Sequence, residues 1–329
     1  MTVAIIREKS PVRGPKDQLF FSLVDYRNNY FTSDDPNKII EFYNGFENRD
    51  QLIQWMKERP KGIANIHEVS GDKDIVVVIP TADINGKFAK ECRENIFKGL
   101  HIVFVESGGR GDFYFNFAHN VNVGIRKAME YIPKWVVVSN DDMVKIDDIS
   151  VLIDQLERID NHRYMTVYTE PSTHHSTPSA VTRPRLTRTM LFKLLGRNRR
   201  YQLIFEKKFC INFFLTPVSG YWKLFFKQVS GRQVTSLADI GIFSAELLRV
   251  EHDLYNETFV NSAEDFELSI RLAPMVNDIK IIHYRIGSYI GLTLGNDINR
   301  RLRELGGQSY LNYLLSKCDG MLKSPVRDN

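Results

Sequence analysis

The stretch that decides the fold is DIVVVIPT, residues 74–81. It is a short, continuous run of apolar and mostly β-branched residues that ends in a proline and a threonine. Such a run is typical of a strand buried on both faces, as the strands of parallel sheets are. Two more runs of this kind follow, HIVFVESGG at residues 101–109 and WVVVSNDDM at residues 135–143. The sequence therefore predicts a parallel sheet that begins near Asp74.

Helical patterns separate these strands. Residues 87–98 and 147–159 have helical character, and in FNFAHNVNVGIRKAMEYI, residues 115–132, the apolar side chains fall on one helical face. The alternation predicts an α/β fold in which helices flank a mostly parallel, Rossmann-like sheet with right-handed crossovers. The core pattern returns with a strand at residues 239–248, a helix at residues 263–273 and a strand at residues 278–284. Two C-terminal helices are expected after Asn296 and Gly307.

Three segments lie outside this core pattern. Residues 1–70 are expected to form a helical appendage, in which Asp35 is suited to cap a helix that begins at the proline after it. This segment shows no recognisable chemistry. The main domain is expected to span residues 71–295, with a basic, aromatic-rich insertion at about residues 171–237, and residues 296–329 hold the C-terminal helices.

The composition excludes several classes of protein. The chain has 329 residues, 43% of them apolar, and a formal net charge of +4, which fits a packed globule and gives no reason to expect nucleic acid as a partner. Three cysteines without a CxxC pair argue against a disulfide framework or a zinc site. The first residues are charged where a signal peptide would be apolar, and no run of about eighteen apolar residues occurs. We therefore expect a cytoplasmic protein.

Positive charge is concentrated in residues 183–208, which contain nine lysines or arginines and one acidic residue, Glu206. Leu186, Met190 and Leu194 place apolar side chains at helical spacing among these cations. The pattern has three interpretations: a helix on an anionic membrane surface, a cationic flap near phosphate groups, or a solvated helix with one face on the core. The first would make the protein peripheral on the cytoplasmic face of a membrane.

Polar side chains follow each predicted strand. In open α/β sheets, ligands bind beyond the carboxyl ends of the strands. Adjacent carboxylates repel each other unless a cation or hydrogen bonds compensate, and oxygen ligands suit Mg²⁺ or Mn²⁺. A single turn with adjacent carboxylates after a strand commonly serves as a helix cap. Three strand ends that carry polar residues and converge at one edge favour a ligand site. The polar residues are Pro80 with Thr81, Glu106 with Ser107, and Asn140 with Asp141 and Asp142.

The order of these motifs resembles the GT-A fold glycosyltransferases of family 2, and their rhamnosyltransferase-like members most. The resemblance rests on VVVIPT, VFVESGG, NFAHNVNVGIRKA and VVVSNDDM, and covers roughly residues 74–170 and 237–290. In that family the third strand ends in a DxD-type motif that binds the metal and the nucleotide. Asn140, Asp141 and Asp142 occupy it here, and the resemblance makes Asp142 the metal ligand.

The resemblance also assigns the nucleotide pocket. Pro80 and Thr81 would line it at the end of the first strand. The family usually has an aspartate at the end of the second strand, where it binds the nucleoside, and Glu106 stands there with one more methylene. Asn122 matches the asparagine of the family's NxG element, on the helix that leads to the third strand.

The second half of the chain carries further matches, NSAEDFELSIRLA and IIHYRIGS. In the family the first of these segments holds the catalytic base and the second a histidine that binds the metal or the diphosphate. The base would be Asp265, with Glu264 beside it, and the histidine would be His283.

The resemblance implies an inverting, hexosyltransferase-like glycosyltransferase that depends on Mn²⁺ or Mg²⁺. Its GT-A catalytic domain would span residues 71–295. The donor would be a nucleotide-sugar, with UDP or dTDP as the carrier, and the acceptor a hydroxyl of a glycan or of a lipid-linked molecule.

Two alternatives stay open, a catalytically decayed carbohydrate- or membrane-binding module on the same fold and a sugar-phosphate nucleotidyltransferase. The second would normally carry a basic, glycine-rich signature after the first strand, where this chain has IPTADING. Neither GxGxxG nor GxxxxGK[ST] occurs there, which argues against a nicotinamide-dependent oxidoreductase and a P-loop enzyme.

Overall fold

The computed structural model of the chain describes residues 26–108, 112–162, 164–169, 178–182, 197–211, 214–217, 233–235, 240–251, 253–260, 262–272, 278–289 and 297–317. Its strands are β1 (Asn65–Val69), β2 (Asp72–Thr81), β3 (Leu100–Glu106), β4 (Trp135–Ser139), β5 (Met143–Lys145), β6 (Met165–Thr169), β7 (Pro178–Thr182), β8 (Phe214–Pro217), β9 (Gln233–Thr235), β10 (Ile240–Ser244), β11 (Asp278–Ile282) and β12 (Ile286–Ser288). Its helices are α1 (Pro36–Asn44), α2 (Arg49–Glu58), α3 (Lys87–Glu91), α4 (Phe117–Met129), α5 (Ile149–Glu157), α6 (Arg197–Lys208), α7 (Ala245–Val250), α8 (Glu264–Leu272) and α9 (Asp297–Lys317).

A seven-stranded sheet in the order β1-β3-β2-β4-β10-β6-β11 occupies the centre. Strand β2 pairs in parallel with β3 on one side and β4 on the other, and β11 pairs in parallel with β6. Strands β1 and β10 are antiparallel to their neighbours. Five of these seven strands therefore run in one direction. The predicted α/β class, with helices on both faces of a mostly parallel sheet, is confirmed.

Both faces of the sheet are covered, which explains the continuous apolar runs. On one face, called here the α3 face, alternate residues of the strands pack against α3 and α5. On the other, the α4 face, the intervening residues pack against α4, α7 and α8. In β2, Ile75, Val77 and Ile79 belong to the α3 face, while Val76 and Val78 belong to the α4 face.

A separate helical layer joins segments from the two halves of the chain. Helices α1, α2, α6 and α9 share one apolar cluster, in which the rings of Phe42 and Trp55 are 4.7 Å apart. The predicted cap is confirmed, since Asp35 accepts a hydrogen bond from the backbone of the first turn of α1, and Asn48 caps α2 in the same way. Residues that the sequence assigns to an N-terminal appendage and to C-terminal helices therefore form one packed unit.

The prediction of two C-terminal helices is wrong, because α9 runs unbroken through Gly306 and Gly307. A Cβ atom on Gly307 would lie 2.2 Å from the carbonyl oxygen of Ser262, so glycine permits close packing here instead of ending the helix. The Tyr43 hydroxyl donates to the carbonyl of Leu302 (2.6 Å) and accepts from the amide of Gly306 (3.1 Å). The hydroxyl thus connects α1 to the hydrogen-bond ladder of α9.

Part of the insertion also differs from its prediction. The stretch THHSTPSAVTRPR is expected to be a loop, but it contains β7, which forms a three-stranded sheet with β8 and β9. Within residues 183–208, α6 packs into the helical layer through the buried Phe205, as a solvated helix with one face on the core would. Residues 183–196 lie outside the described residues, so the membrane-surface interpretation of that part stays a prediction. In the described residues, no helix is long and apolar enough to cross a membrane.

The two adjacent glycines of α9 provide a matched test of this packing. Gly307→Ala should lower the free energy of unfolding by about 1–3 kcal/mol, because the new methyl group would overlap the backbone at Ser262. Gly306→Ala should be neutral or stabilising by up to about 1 kcal/mol, since its methyl group would meet only ordinary contacts and alanine favours a helix. Chemical denaturation of the two variants would measure both effects. Equal stability of the two would contradict the packing described here.

Candidate active site

The chain changes direction at β2, and this creates a crevice at the carboxyl edge of the sheet. Strands β3 and β4 follow β2 in sequence but lie on opposite sides of it, the arrangement in which open α/β sheets bind ligands. Pairing between β2 and β3 continues to Thr81 and Glu106, whereas pairing between β2 and β4 ends at Val78 and Val138. Pro80 has no amide hydrogen to donate to a ladder beyond that point. The crevice therefore opens between the ends of β2 and β4.

Three of the predicted site residues lie on the same face of the sheet at this edge. Since side chains alternate along a strand, Thr81 shares the α3 face with Ile79, and Glu106 shares it with Phe104. Asp141 follows β4 and is joined to Thr81 by a hydrogen bond across the crevice, Oγ1 to Oδ2, of 2.7 Å. The structure thus brings together the strand ends that the sequence predicts to converge.

Asp141 is partly enclosed beneath the crevice. Burial raises the pKa of its carboxyl group, and the hydrogen bond from Thr81 opposes that rise. The thiol of Cys92 donates to the backbone carbonyl of Asp141 at 3.3 Å. Burial, with the charges of Asp141 and Asp142, raises the pKa of this thiol, so Cys92 supports the turn as a neutral group.

The helix that supplies Cys92 is shorter than predicted. Residues 87–98 are expected to be α-helical, but α3 ends at Glu91 and the chain continues as a π-helical turn over Cys92–Ile96. Such turns are rare and often occur at functional sites. Here the turn lies directly below the carboxylates that follow β4.

A two-stranded ribbon of β5 and β12 borders the other carboxylate, Asp142. The amide of Tyr289 donates to the carbonyl of Asp142 at 2.8 Å. The ring of Tyr289 is exposed and lies 5.9 Å from the ring of Phe88 on α3. Asn140 is partly exposed in the same turn, and its carbonyl accepts from Ser139 at 2.9 Å. The sequence indicates neither the ribbon nor Tyr289.

His283 lies near the other end of this ribbon. Asp142 faces Tyr289 at one end, and Asp147 faces Arg285 at the other. At about 3.3 Å per residue, Arg285 is roughly 13 Å along the ribbon from Tyr289, and His283 precedes Arg285 by two residues. The resemblance joins His283 and Asp142 as possible metal ligands. His283 is exposed at the bend that follows β11, and a joint role with Asp142 in metal binding stays a prediction.

Glu106 has two partners that the sequence does not indicate. Its Oε1 accepts from the amide of Ile84 at 2.9 Å, and its Oε2 lies 2.9 Å from His67 Nε2. His67 belongs to β1, in the segment where the sequence shows no chemistry. The pairing of β1 with β3 places His67 beside Phe104 and near Glu106. Sequence reasoning could have identified His67 as a site residue only by predicting that pairing.

Asn122 lies away from the other predicted pocket residues. It is fully buried in α4. Its Nδ2 donates to the carbonyl of Tyr255 (2.8 Å) and to Glu257 Oε1 (3.1 Å), and its Oδ1 accepts from the amide of Tyr255 (2.9 Å). The structure therefore does not bring Asn122 to the strand ends together with Thr81, Glu106 and Asp141, and its assignment to nucleotide binding stays a prediction. Its amide fixes the segment before α8 against α4, on the face opposite Thr81.

Asp265 and Glu264 begin α8 at the carboxyl edge of the sheet. Strand β11 follows α8 and runs in the direction of β2 and β4, so a crossover helix that leads into it begins at that edge. Asn116, which caps α4 after β3, donates to the carbonyl of Phe259 at 3.0 Å. Leu268 packs on the α4 face. Asp265 therefore lies at the carboxyl edge of the sheet, in a helix that packs on the face opposite Thr81, Glu106 and Asp141.

The two carboxyl groups of α8 differ in environment. Oε2 of Glu264 is buried and, within the described part of the chain, has no hydrogen-bond partner. Burial, together with the charge of Asp265, raises the pKa of Glu264 from 4.5 to about 8. At neutral pH the carboxyl group of Glu264 is therefore mostly protonated.

This assignment predicts a pH-dependent stability difference. Because the pKa of Glu264 is raised on folding, its contribution to stability declines as pH rises from about 4.5 to about 8. Glu264→Gln should therefore become progressively more stable than the parent over that interval, as measured by thermal unfolding between pH 5 and 9. Asp148→Asn is the control. The pKa of Asp148 is lowered to about 2, chiefly by Lys145, so its difference from the parent should stay constant in that range. A constant difference for Glu264→Gln as well would contradict the raised pKa.

Asp141 and Asp142 are the residues that would hold the implied Mg²⁺ or Mn²⁺. Among the described residues, no group of three or more His, Cys, Asp or Glu side chains could hold a metal ion. Mg²⁺ in nucleotide sites is usually bound by one or two carboxylates, with phosphate oxygens and water as the other ligands. The two adjacent carboxylates fit an ion that shares its coordination with phosphate groups.

Comparison with known proteins gives no family assignment. The chain matches no protein-family model, and a search of curated proteins finds no match to it. The interpretation of the site therefore depends on its geometry and chemistry.

Proposed function

We propose that this chain is a glycosyltransferase of GT-A type that transfers a sugar from a nucleoside-diphosphate sugar to an acceptor hydroxyl. The observation that carries the proposal is the hydrogen bond between Thr81 and Asp141, which joins two strand ends at the crevice and places Asp142 next to it. Glu106 lies at the end of the neighbouring strand on the same face as Thr81.

The donor would extend along the edge of the sheet from β3 to β4. Glu106 and Asp141 follow strands that lie two positions apart, on either side of β2, which corresponds to about 10 Å. The nucleoside would bind at the Glu106 end and the diphosphate at the end formed by Asp141 and Asp142. UDP and dTDP are the carriers that the family resemblance favours, and a glycan or a lipid-linked molecule is the expected acceptor.

Departure of the nucleoside diphosphate requires that negative charge on the leaving oxygen be stabilised. A divalent cation bound between the diphosphate and the protein would supply this stabilisation. Asp142 and Asp141 would hold that cation through their carboxylate oxygens. Thr81 fixes the orientation of Asp141 by its hydrogen bond.

Asp265 would act as the general base that removes the proton of the acceptor hydroxyl. Its position in the first turn of α8 favours an ionised carboxylate, because the helix dipole is positive there. Glu264 remains protonated at neutral pH, since its pKa is raised to about 8, and so does not compete as a base. A base on the face opposite the leaving group is consistent with direct displacement and inversion at the anomeric carbon.

The first test concerns the metal and the nucleotide together. Asp142→Ala should abolish Mn²⁺-dependent binding of UDP or dTDP, as measured by titration calorimetry, and leave the unfolding temperature near that of the parent. Asp154→Ala is the control, since Asp154 is an exposed carboxylate on α5 in a weak ion pair with Arg158. If the parent binds no nucleoside diphosphate with Mn²⁺ or Mg²⁺, the proposed function is wrong. Binding without turnover of any nucleotide-sugar would favour the decayed module.

The second test concerns the base. Asp265→Asn should retain donor affinity and lower the rate of transfer by about 10²–10⁴-fold, the usual effect of losing one general base. Glu264→Gln should have a smaller effect, because glutamine is a close substitute for a protonated glutamic acid. Steady-state transfer assays with the same donor and acceptor would measure both. The roles would be reversed if Glu264→Gln were inactive while Asp265→Asn kept the parent rate.

A further inference from the structure

We propose that His67 and Glu106 act as one unit that holds residues 82–86, called here the pocket loop, in the conformation that accepts the nucleoside end of the donor. His67 is then a positioning residue. The identity of the ligand rests on the proposed function. The unit itself rests on contacts among described residues.

The pairing of β1 with β3 places His67 next to Glu106. In the antiparallel register His67 is opposite Phe104, and Asn65 is opposite Glu106. His67 is therefore the diagonal neighbour of Glu106 on the same face of the sheet, within reach of a long side chain. His67 Nε2 lies 2.9 Å from Glu106 Oε2. A carboxylate oxygen accepts, so Nε2 donates the shared hydrogen.

The other oxygen of Glu106 connects to the pocket loop. Its Oε1 accepts from the amide of Ile84 at 2.9 Å, while the carbonyl of Ile84 accepts from Arg93 Nη1 at 2.7 Å. The peptide groups of Ile84 are therefore fixed on both sides. Within the loop, the amide of Asn85 donates to Asp83 Oδ1 at 2.9 Å. Glu106 thus supplies one of the two external tethers of Ile84.

The length of the Glu106 side chain is essential to this arrangement. Aspartate would withdraw the carboxylate by about 1.5 Å, one carbon–carbon bond. Both 2.9 Å contacts would then exceed hydrogen-bond distance. The extra methylene, which departs from the aspartate usual in the resembling family, is therefore what allows one carboxylate to bind His67 and Ile84 together.

The unit remains accessible to a ligand. The side chain of Glu106 is 22% exposed and that of His67 is 40% exposed. Each carboxylate oxygen has a second lone pair, so Glu106 can still accept from a ribose hydroxyl or a base N–H group. A ligand would meet an acceptor whose position is already fixed, which reduces the entropy lost on binding.

The first experiment measures the pocket loop without any ligand. Hydrogen exchange at the Ile84 amide should be at least tenfold faster in His67→Phe and Glu106→Asp than in the parent, because the Glu106 acceptor is lost or misplaced. His67→Gln should restore slow exchange, since its amide nitrogen can donate in place of Nε2. His162→Phe, a change of an exposed histidine outside the site, should leave the exchange unchanged.

The second experiment measures the consequence for binding, with UDP and Mn²⁺ as the probe. The dissociation constant should rise about 5- to 50-fold in His67→Phe and Glu106→Asp. It should stay within about threefold of the parent in His67→Gln and His162→Phe. Thermal unfolding of each variant shows whether a rise in the dissociation constant comes from a general loss of stability. A general loss of stability is not expected to be reversed in His67→Gln.

The outcomes separate this inference from the proposed function. If the parent binds neither UDP nor dTDP, the proposed function fails, and exchange at Ile84 still decides whether His67 holds the loop. Unchanged exchange at Ile84 in His67→Phe would overturn the inference, as would parent-like UDP affinity in Glu106→Asp. If His67→Phe does not fold, Glu106→Asp provides the same test with His67 in place.

Discussion

Strand β2 must pair with two parallel neighbours and present apolar side chains to both faces of the sheet, and the rest of the structure depends on that constraint. The constraint selects β-branched residues from Ile75 to Ile79, all of them buried. It also forces the chain to leave β2 on one side and return on the other, since both neighbours come later in the sequence. The crevice at the carboxyl edge is the geometric result. The polar side chains at this edge therefore belong to the residues at which strand pairing ends. Thr81, the last paired residue of β2, is the first of them in the sequence.

The core and half of the candidate site could be predicted because they follow from local patterns. Continuous apolar runs identify β2, β3 and β4, and two-residue alternation places Thr81, Glu106 and Asp141 on one face. His67 could not be predicted in the same way. Its strand, NIHEV, lies at the edge of the sheet with little burial, so it lacks an apolar run, and its relation to Glu106 exists only through long-range pairing.

Other differences arise because one residue type serves different physical purposes. Gly307 looks like a helix terminus in the sequence, but close contact with another backbone requires it. Asn122 looks like a polar residue free to contact a ligand, but a buried amide must be satisfied by the protein, and Tyr255 and Glu257 satisfy it. In both cases the deciding partner is more than 40 residues away in the sequence.

The N-terminal segment is tied to the central domain, because it contacts residues 112–114 between β3 and α4. The buried Arg59 guanidinium donates to the carbonyls of Phe113 (2.7 Å) and Tyr114 (3.1 Å). Burial lowers the pKa of Arg59 to about 10, which still leaves it charged at neutral pH. Asp112 accepts from the amide of Ile63 at 3.1 Å. The segment in which the sequence shows no chemistry therefore holds residues 112–114, which lead from β3 into α4.

The contact between Tyr43 and α9 has a consequence for biosynthesis. The hydroxyl of Tyr43 and the carbonyl of Leu302 are separated by 259 residues. At the usual rate of about 5–20 residues per second, a ribosome needs roughly 13 to 50 s to add that length. Until then, Phe42 and Trp55 on α1 and α2 lack the helix that completes their cluster. The apolar cluster of the helical layer is therefore completed only after α9 has left the ribosome.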